Sequence, residues 1–306
     1  YCDNYWPLDL EKLEKLYCTS GLEAQVVAYK RPVSVGKNNI SVKDGIVTAY
    51  DKSRTAAGLE YVDIGFFLLK KSIVEGMPEG NYSFEEKVLP QLVGRGQLGA
   101  FTTGQPYASI SSLERLEQAG KFLDSQRKVV FLDRDGVINA KAPEGDYVKD
   151  WAEFRFLPGA KEAVKTLWEN GFELFIISNQ ASIARGVMTR AQVDGINRKM
   201  CDELRPAKIA GIYLCPHGYD EGCECRKPKP GLLFRAASEH LIDLTRTTLI
   251  GDDMRDVAAG KQVGSRTILI GSGNRPMPGI LPDHRCADLA QAAGMLIAAR
   301  NKGVGQ

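Results

Sequence analysis

Four short apolar runs in this 306-residue chain, all beyond residue 128, each break off directly into a polar cluster. Val129–Leu132 runs into Asp133-Arg134-Asp135-Gly136, and Phe172–Ile177 into Ser178-Asn179-Gln180. Gly211–Leu214 leads to Cys215-Pro216-His217, and Thr248–Ile250 to Gly251-Asp252-Asp253. A fifth run, Thr267–Ile270, follows, and the amphipathic stretches Gly159–Asn170, Thr189–Leu204 and Gly231–His240 fall between them with helical spacing. Uninterrupted apolar strands alternating with helices imply an α/β fold, a Rossmann-like parallel sheet covered on both faces. Ligands of such sheets bind at the carboxyl ends of the strands. The polar clusters all sit there, so four separate segments are expected to converge on one site.

Composition removes several alternatives. Lys and Arg total 40 against 38 Asp and Glu, a net charge of +2, which offers no field for nucleic acid or anionic lipid. The longest apolar runs, Gly65–Leu69 and Phe172–Ile177, are strand-sized and too short for a membrane span. No basic-then-apolar signal opens the chain, so we expect a cytoplasmic protein. The first residue is Tyr1 rather than Met, which we read as a segment missing upstream. Helix-like and strand-like patterns also alternate in the first part: Leu8–Tyr17 and Ser83–Leu92 as helices, Gln25–Lys30 and Tyr61–Leu69 as strands, and Ile40–Tyr50 as two strands about the Asp44-Gly45 turn. A helix over Leu113–Leu123 precedes the polar stretch Asp124–Lys128, which places a domain boundary near 126 and domains at 1–126 and 127–306.

Asp133 and Asp135 lie two positions apart just past a buried strand, so both carboxylates can be aimed into one crevice. One can attack phosphorus while the other manages the proton of the leaving group. Carboxylates repel phosphate, so a cation is needed, and an oxygen-rich site with Asp252 and Asp253 suits Mg²⁺. Ser178 and Lys227 are placed to hold phosphoryl oxygens. Cys215, His217, Cys223 and Cys225 put three thiols and one imidazole within eleven residues, the donor set of a closed structural zinc site that would pin the loop carrying Arg226 and Lys227. Seven cysteines, an odd number with three in this loop, also argue for a reducing compartment.

The segment Leu132–Asn139 (LDRDGVIN), with Ser178-Asn179-Gln180, Lys227 and Gly251-Asp252-Asp253, resembles the haloacid dehalogenase superfamily. The resemblance implies Asp133 as a phosphorylated nucleophile, Asp135 as acid/base, and Ser178 and Lys227 as holders of the phosphoryl group. It also implies Mg²⁺ held by Asp252, by Asp133 and by the main-chain carbonyl of Asp135. With Cys-Pro-His, Cys-x-Cys-Arg-Lys-Pro and Ser-Asn-Gln-x-x-Ile-Ala-Arg-Gly added, the second part looks like the D-glycero-D-manno-heptose-1,7-bisphosphate 7-phosphatase group. Substrate contacts then fall on Tyr147, Asn179, Gln180, Arg185 and Arg226, and the substrate is a small phosphorylated sugar. Asp253 stands where some members of the group carry Lys, and Ala181-Ser182 replaces their Ser-Gly.

Cys2-Asp3-Asn4-Tyr5, Tyr61–Leu69, Ser83–Leu92 and Tyr107–Ala119 resemble the later part of a sugar-phosphate nucleotidyltransferase. The glycine-rich nucleotide loop is missing, and Ser109-Ile110-Ser111-Ser112 replaces the family's second metal-binding Asp segment. An incomplete nucleotidyltransferase-like segment before the phosphatase fits consecutive steps of nucleotide-heptose synthesis. Two alternatives stand beside that reading: a histidinol-phosphate phosphatase, and a non-catalytic assembly protein. Oligomeric state is not legible in the sequence.

Overall fold

The computed structural model describes residues 4–30, 37–77, 79–80, 83–124, 127–143, 145–271 and 276–303. The chain divides into two units, Tyr1–Ala119 and Gly120–Gln306. The division falls inside a helix rather than near 126, and residues 125–126 lie outside the described residues.

In the first unit, β1 (Asn4–Tyr5) precedes α1 (Leu10–Ser20), which starts where the Asp9 side chain accepts a hydrogen bond from Lys12 N and stops at Gly21. There follow β2 (Ala24–Tyr29), the β3 (Ile40–Lys43)–β4 (Ile46–Tyr50) hairpin, and β5 (Val62–Leu69). The hairpin turns through Asp44 and Gly45, both at positive φ, as the Asp-Gly pair requires. After α2 (Lys71–Glu75), the helix expected over Ser83–Leu92 is two short ones, α3 (Phe84–Lys87) and α4 (Leu89–Gly94). Pro90 explains the break, because it has no N–H and its ring opposes the carbonyl of Glu86; it is tolerated in the first turn of α4. β6 (Leu98–Thr103), not anticipated from the sequence, and β7 (Ala108–Ser109) lead to α5 (Leu113–Leu123), which crosses the division. The main sheet has the order β3-β4-β6-β2-β5, with only β2 and β6 parallel. Its core includes Val26, Ala28, Ile40, Leu89, Leu92 and Leu98.

The second unit is the parallel sheet that the apolar runs require. Its elements are β8 (Lys128–Leu132), α6 (Ala160–Glu169), β9 (Phe172–Asn179), α7 (Arg190–Glu203), β10 (Ile209–Cys215), α8 (Gly231–His240), β11 (Thr248–Gly251), α9 (Met254–Gln262), β12 (Arg266–Ile270), β13 (His284–Cys286) and α10 (Leu289–Gly303). All neighbours pair parallel in the order β10-β9-β8-β11-β12-β13. Period-two alternation within the uninterrupted runs divides two cores. Val130, Leu132, Leu174 and Ile176 face one side, packed with Val164 and Leu167 of α6 and Val193 and Ile196 of α7. Val129, Phe131, Phe175 and Ile177 face the other, with Leu232, Leu233 and Ala236 of α8. Both faces are covered, which is why the central positions of β8, β9 and β11 are almost all apolar. The chain leaves β8 toward β9 on one side and returns to β11 on the other, so β8 lies at a topological switch point. Among the described residues, no helix is long and apolar enough to cross a membrane.

Candidate active site

At the carboxyl end of β8 the main-chain N–H of Asp133 donates to Ile250 O of β11 (2.9 Å), which ties the first acidic motif to the last. Gly136 closes the following turn at φ +93°, and a Cβ there would lie 2.1 Å from Asp252 Oδ2. Glycine therefore lets the two acidic segments approach. Asp133 Oδ1 accepts from Arg134 N (2.7 Å) and pairs with Lys227 Nζ (3.0 Å). Burial pushes the Asp133 carboxyl up to about 6; Lys227 pulls it down, while Asp256 and Asp135 add to the rise.

Lys227 is 3% exposed and three-coordinate: Asp133 Oδ1, Asp256 Oδ1 (2.5 Å), and Ile177 O (2.8 Å). Burial opposes its charge, but the two carboxylates outweigh this and raise its pKa. Its backbone is clamped by Asn179, whose Oδ1 accepts from Lys227 N and whose Nδ2 donates to Lys227 O, both at 3.0 Å. Ser178, 1% exposed at the end of β9, accepts from Gln180 Nε2 (2.9 Å). The same Gln180 amide donates to Asp135 Oδ2 (2.7 Å). Both Asn179 and Gln180, expected as substrate contacts, thus have their side chains engaged within the protein, and Gln180 is buried.

Asp135 is held more closely than any other carboxylate of the site. Arg134 forks onto it, with Nη2 3.0 Å from each oxygen, while Asn139 Nδ2 donates to Oδ1 (2.9 Å). Arg134 is itself 1% exposed, and its Nη1 donates to Asn197 Oδ1 (3.1 Å). Burial alone would raise the Asp135 pKa; Arg134, Asn139 and Gln180 together bring it below the ordinary carboxylate value.

Asp133, Asp252 and Asp256 bring carboxylate oxygens within 4.8 Å of one another. Asp252 Oδ1 is buried with no hydrogen-bond partner, and Oδ2 pairs with Lys141 Nζ (2.5 Å). An all-oxygen donor set with an unsatisfied buried oxygen fits a hard divalent cation such as Mg²⁺. Asp256 and Lys141 were missed in the sequence. Asp256 is one helical turn beyond Asp252, a spacing that could have signalled it, whereas nothing local marks Lys141. The Asp135 carboxylate is not in this cluster. Asp253 caps α9 and accepts from Arg255 Nε (2.9 Å) and Nη2 (3.0 Å); burial raises its pKa, but Arg255 outweighs this and holds the carboxyl below the ordinary value.

Cys215, His217, Cys223 and Cys225 converge as a second donor cluster. Cys215 and Cys225 sulfurs are each 3.7 Å from Cys223 Sγ, and His217 Nδ1 is 3.6 Å from Cys215 Sγ and 3.2 Å from Cys225 Sγ. Tetrahedral zinc at ordinary bond lengths demands edges of about 3.8 Å for S···S and about 3.5 Å for S···N, so these residues fit it. Arg226 and Lys227 follow Cys225 directly. Arg226 Nη1 donates to His217 O (3.3 Å), and its guanidinium lies over the Tyr219 ring. Tyr147 and Arg185 meet at 6.0 Å.

A nucleophile-type carboxylate, a buried lysine, a serine and an acidic cluster at neighbouring ends of a parallel sheet define a phosphatase of the haloacid dehalogenase class. A family profile described as HAD-hydrolase-like matches residues 224–295. The D-glycero-beta-D-manno-heptose-1,7-bisphosphate 7-phosphatase of Bordetella bronchiseptica is 36% identical over 179 residues, 56% of this chain and 98% of the relative. That of Pseudomonas aeruginosa is 33% identical over 177 residues, with 56% and 98% covered. A crystal structure of D,D-heptose 1,7-bisphosphate phosphatase from B. bronchiseptica, complexed with magnesium and phosphate, aligns with TM-score 0.52 and 33% identity, over 56% of this chain and 99% of that one. The chain belongs to the haloacid-dehalogenase-like phosphatases, in the heptose-1,7-bisphosphate 7-phosphatase family.

Proposed function

We propose that this chain hydrolyses the 7-phosphate of D-glycero-D-manno-heptose 1,7-bisphosphate in the cytoplasm. The observation that carries the reading is the meeting of Asp133, Ser178, Lys227 and Asp252 at the ends of β8, β9 and β11. Asp133 is the nucleophile: its carboxylate oxygen forms a bond to phosphorus as the ester P–O bond breaks. Lys227 and Ser178 hold phosphoryl oxygens, and Lys227 also keeps Asp133 ionised. Asp135 gives a proton to the leaving sugar oxygen, then takes one from the water that attacks the aspartyl phosphate and frees Asp133. A phosphate dianion arriving beside Asp135 raises its proton affinity by like-charge repulsion, which supplies the acid form. Mg²⁺, held by Asp133, Asp252 and the carbonyl of Asp135 and assisted by Asp256, would neutralise phosphate charge. Zinc on Cys215, His217, Cys223 and Cys225 would be structural and fix the loop bearing Arg226 and Lys227. Asn179 and Gln180 act as positioning residues for Lys227 and Asp135. Tyr147, Arg185 and Arg226 face substrate.

Residues 1–126 are the nucleotidyltransferase-like segment, to which we assign no transferase activity. The mixed five-stranded sheet supports this, while Asp3 lies outside the described residues. A phosphate-release panel of the two heptose bisphosphate anomers, fructose 1,6-bisphosphate and histidinol phosphate tests the assignment. The heptose substrates should be cleaved most efficiently, and Asp133→Asn should release nothing. Faster turnover of histidinol phosphate would replace the substrate assignment.

A further inference from the structure

Cations in and around the site are, with two exceptions, paired with carboxylates. Arg134 pairs with Asp135, Lys141 with Asp252, Lys227 with Asp133 and Asp256, Lys229 with Glu224, and Arg255 with Asp253. Arg185 and Arg226 have no carboxylate partner among the described residues. Both lie over the ring of Tyr219 instead, with guanidinium carbons 5.1 and 4.2 Å from its centroid. Arg185 also lies over Tyr147 at 6.0 Å, so three loops, those after β8, β9 and β10, are joined ring to cation.

A ring face attracts a guanidinium without cancelling its charge, unlike a carboxylate. Two like charges brought to one ring repel each other, and the π face offsets that repulsion while leaving their N–H groups open to an anion. Arg226, Tyr219, Lys229 and Arg255 also line a cavity of about 310 Å³ that reaches Lys227. Lys229 and Arg255 are neutralised by their partners, so the uncompensated charge rests on the arginines that Tyr219 holds.

We propose that Tyr219 is a positioning residue that sets Arg185 and Arg226 as a clamp for the second, non-reacting phosphate of a bisphosphate substrate. This rests on the phosphatase reading above. A planar guanidinium donates to two phosphate oxygens at once, and holding two guanidinium groups ready spares the side-chain ordering that binding would otherwise cost. The tyrosine hydroxyl has no hydrogen-bond partner among the described residues, so the ring alone should suffice.

The test measures kcat and KM for Tyr219→Ala and Tyr219→Phe on two matched pairs: heptose 1,7-bisphosphate with heptose 7-phosphate, and fructose 1,6-bisphosphate with fructose 6-phosphate. Tyr219→Ala should raise KM for the bisphosphates about five- to thirtyfold, from two exposed cation–π contacts, with kcat changed less than twofold. Each monophosphate should respond at most twofold, and Tyr219→Phe should behave as the wild type. Equal effects on both members of a pair, a Phe variant as impaired as Ala, or a wild type indifferent to the second phosphate would overturn the clamp. Preference for the fructose pair, with the same bisphosphate-selective KM effect, would refute the heptose assignment and leave the clamp standing.

Discussion

Lys227→Met would remove one cation from beneath three carboxylates. The side chain is 3% exposed and contacts Asp133 at 3.0 Å and Asp256 at 2.5 Å, and Asp252 lies in the same cluster. Methionine keeps the volume but leaves buried negative charge uncompensated, which costs about 3–5 kcal/mol. For a unit of this size each kcal/mol lowers the midpoint by about 2–4 °C, so the metal-free variant should melt about 6–20 °C earlier at pH 7.5. Trp151 and Trp168 belong to the second unit and Trp6 to the first, so tryptophan fluorescence with differential calorimetry can follow the relevant transition. The deficit has a definite pH dependence. Asp133 is raised from 3.8 to about 6, so between those values the folded state binds its proton more tightly than the unfolded state. Without Lys227, which pulls it down, the Asp133 carboxyl of the variant takes its proton above that value, so acidification relieves the variant and the deficit should narrow from pH 7.5 to 5.5. Adding Asp256→Asn to Lys227→Met should recover part of the loss at pH 7.5. An unchanged midpoint, or a deficit that widens on acidification, would refute the charge-balance account.

The nucleophile needs its ionised form, so kcat/KM at limiting Mg²⁺ should fall about tenfold per pH unit below about 6, and raising Mg²⁺ should move that limb to lower pH; a limb near 4 regardless of metal would contradict the raised Asp133 value. EDTA should abolish turnover and Mg²⁺ restore it, in a phosphate-release assay. Elemental analysis should find about one zinc per chain, and Cys223→Ser should lose it together with most activity while the far-UV dichroism of the sheet persists. Zinc-free protein with normal activity would remove the metal from the loop.

Much of the second unit was legible because its determinants are local. An apolar run of four to six residues records burial on both faces, so Val129–Leu132 and Phe172–Ile177 announced central strands of a parallel sheet, and the polar clusters marked their carboxyl ends. Asp133, Ser178, Lys227 and Asp252 could be picked out for the same reason: each sits at a strand end or in a loop whose composition is unsuited to a core. The Cys215–Cys225 donors were readable from spacing alone, since a loop of eleven residues can close on itself. Pro90 is equally visible, and it divides the Ser83–Leu92 stretch into two helices where apolar spacing alone implies one. β13 and α10 complete the sheet edge with no motif to signal them.

Tertiary structure alone decided which side chains answer one another. Asn179 and Gln180 have the residue types of sugar-binding amides, but closure of the sheet delivers the Lys227 backbone to one and Asp135 to the other. Arg134 is a side chain between two acidic residues in sequence; only burial against Asn197 turns it onto Asp135 and lowers that carboxyl's pKa. Lys141 reaches Asp252 across more than a hundred residues, and Tyr219 gathers Arg185 and Arg226 from two loops. A hydrogen-bonded ion pair needs contact within about 4 Å, so partners separated along the chain exist only once packing has set those distances. Sequence therefore carried the chemistry available to the site, and the fold decided which charges are cancelled and which are left for a ligand.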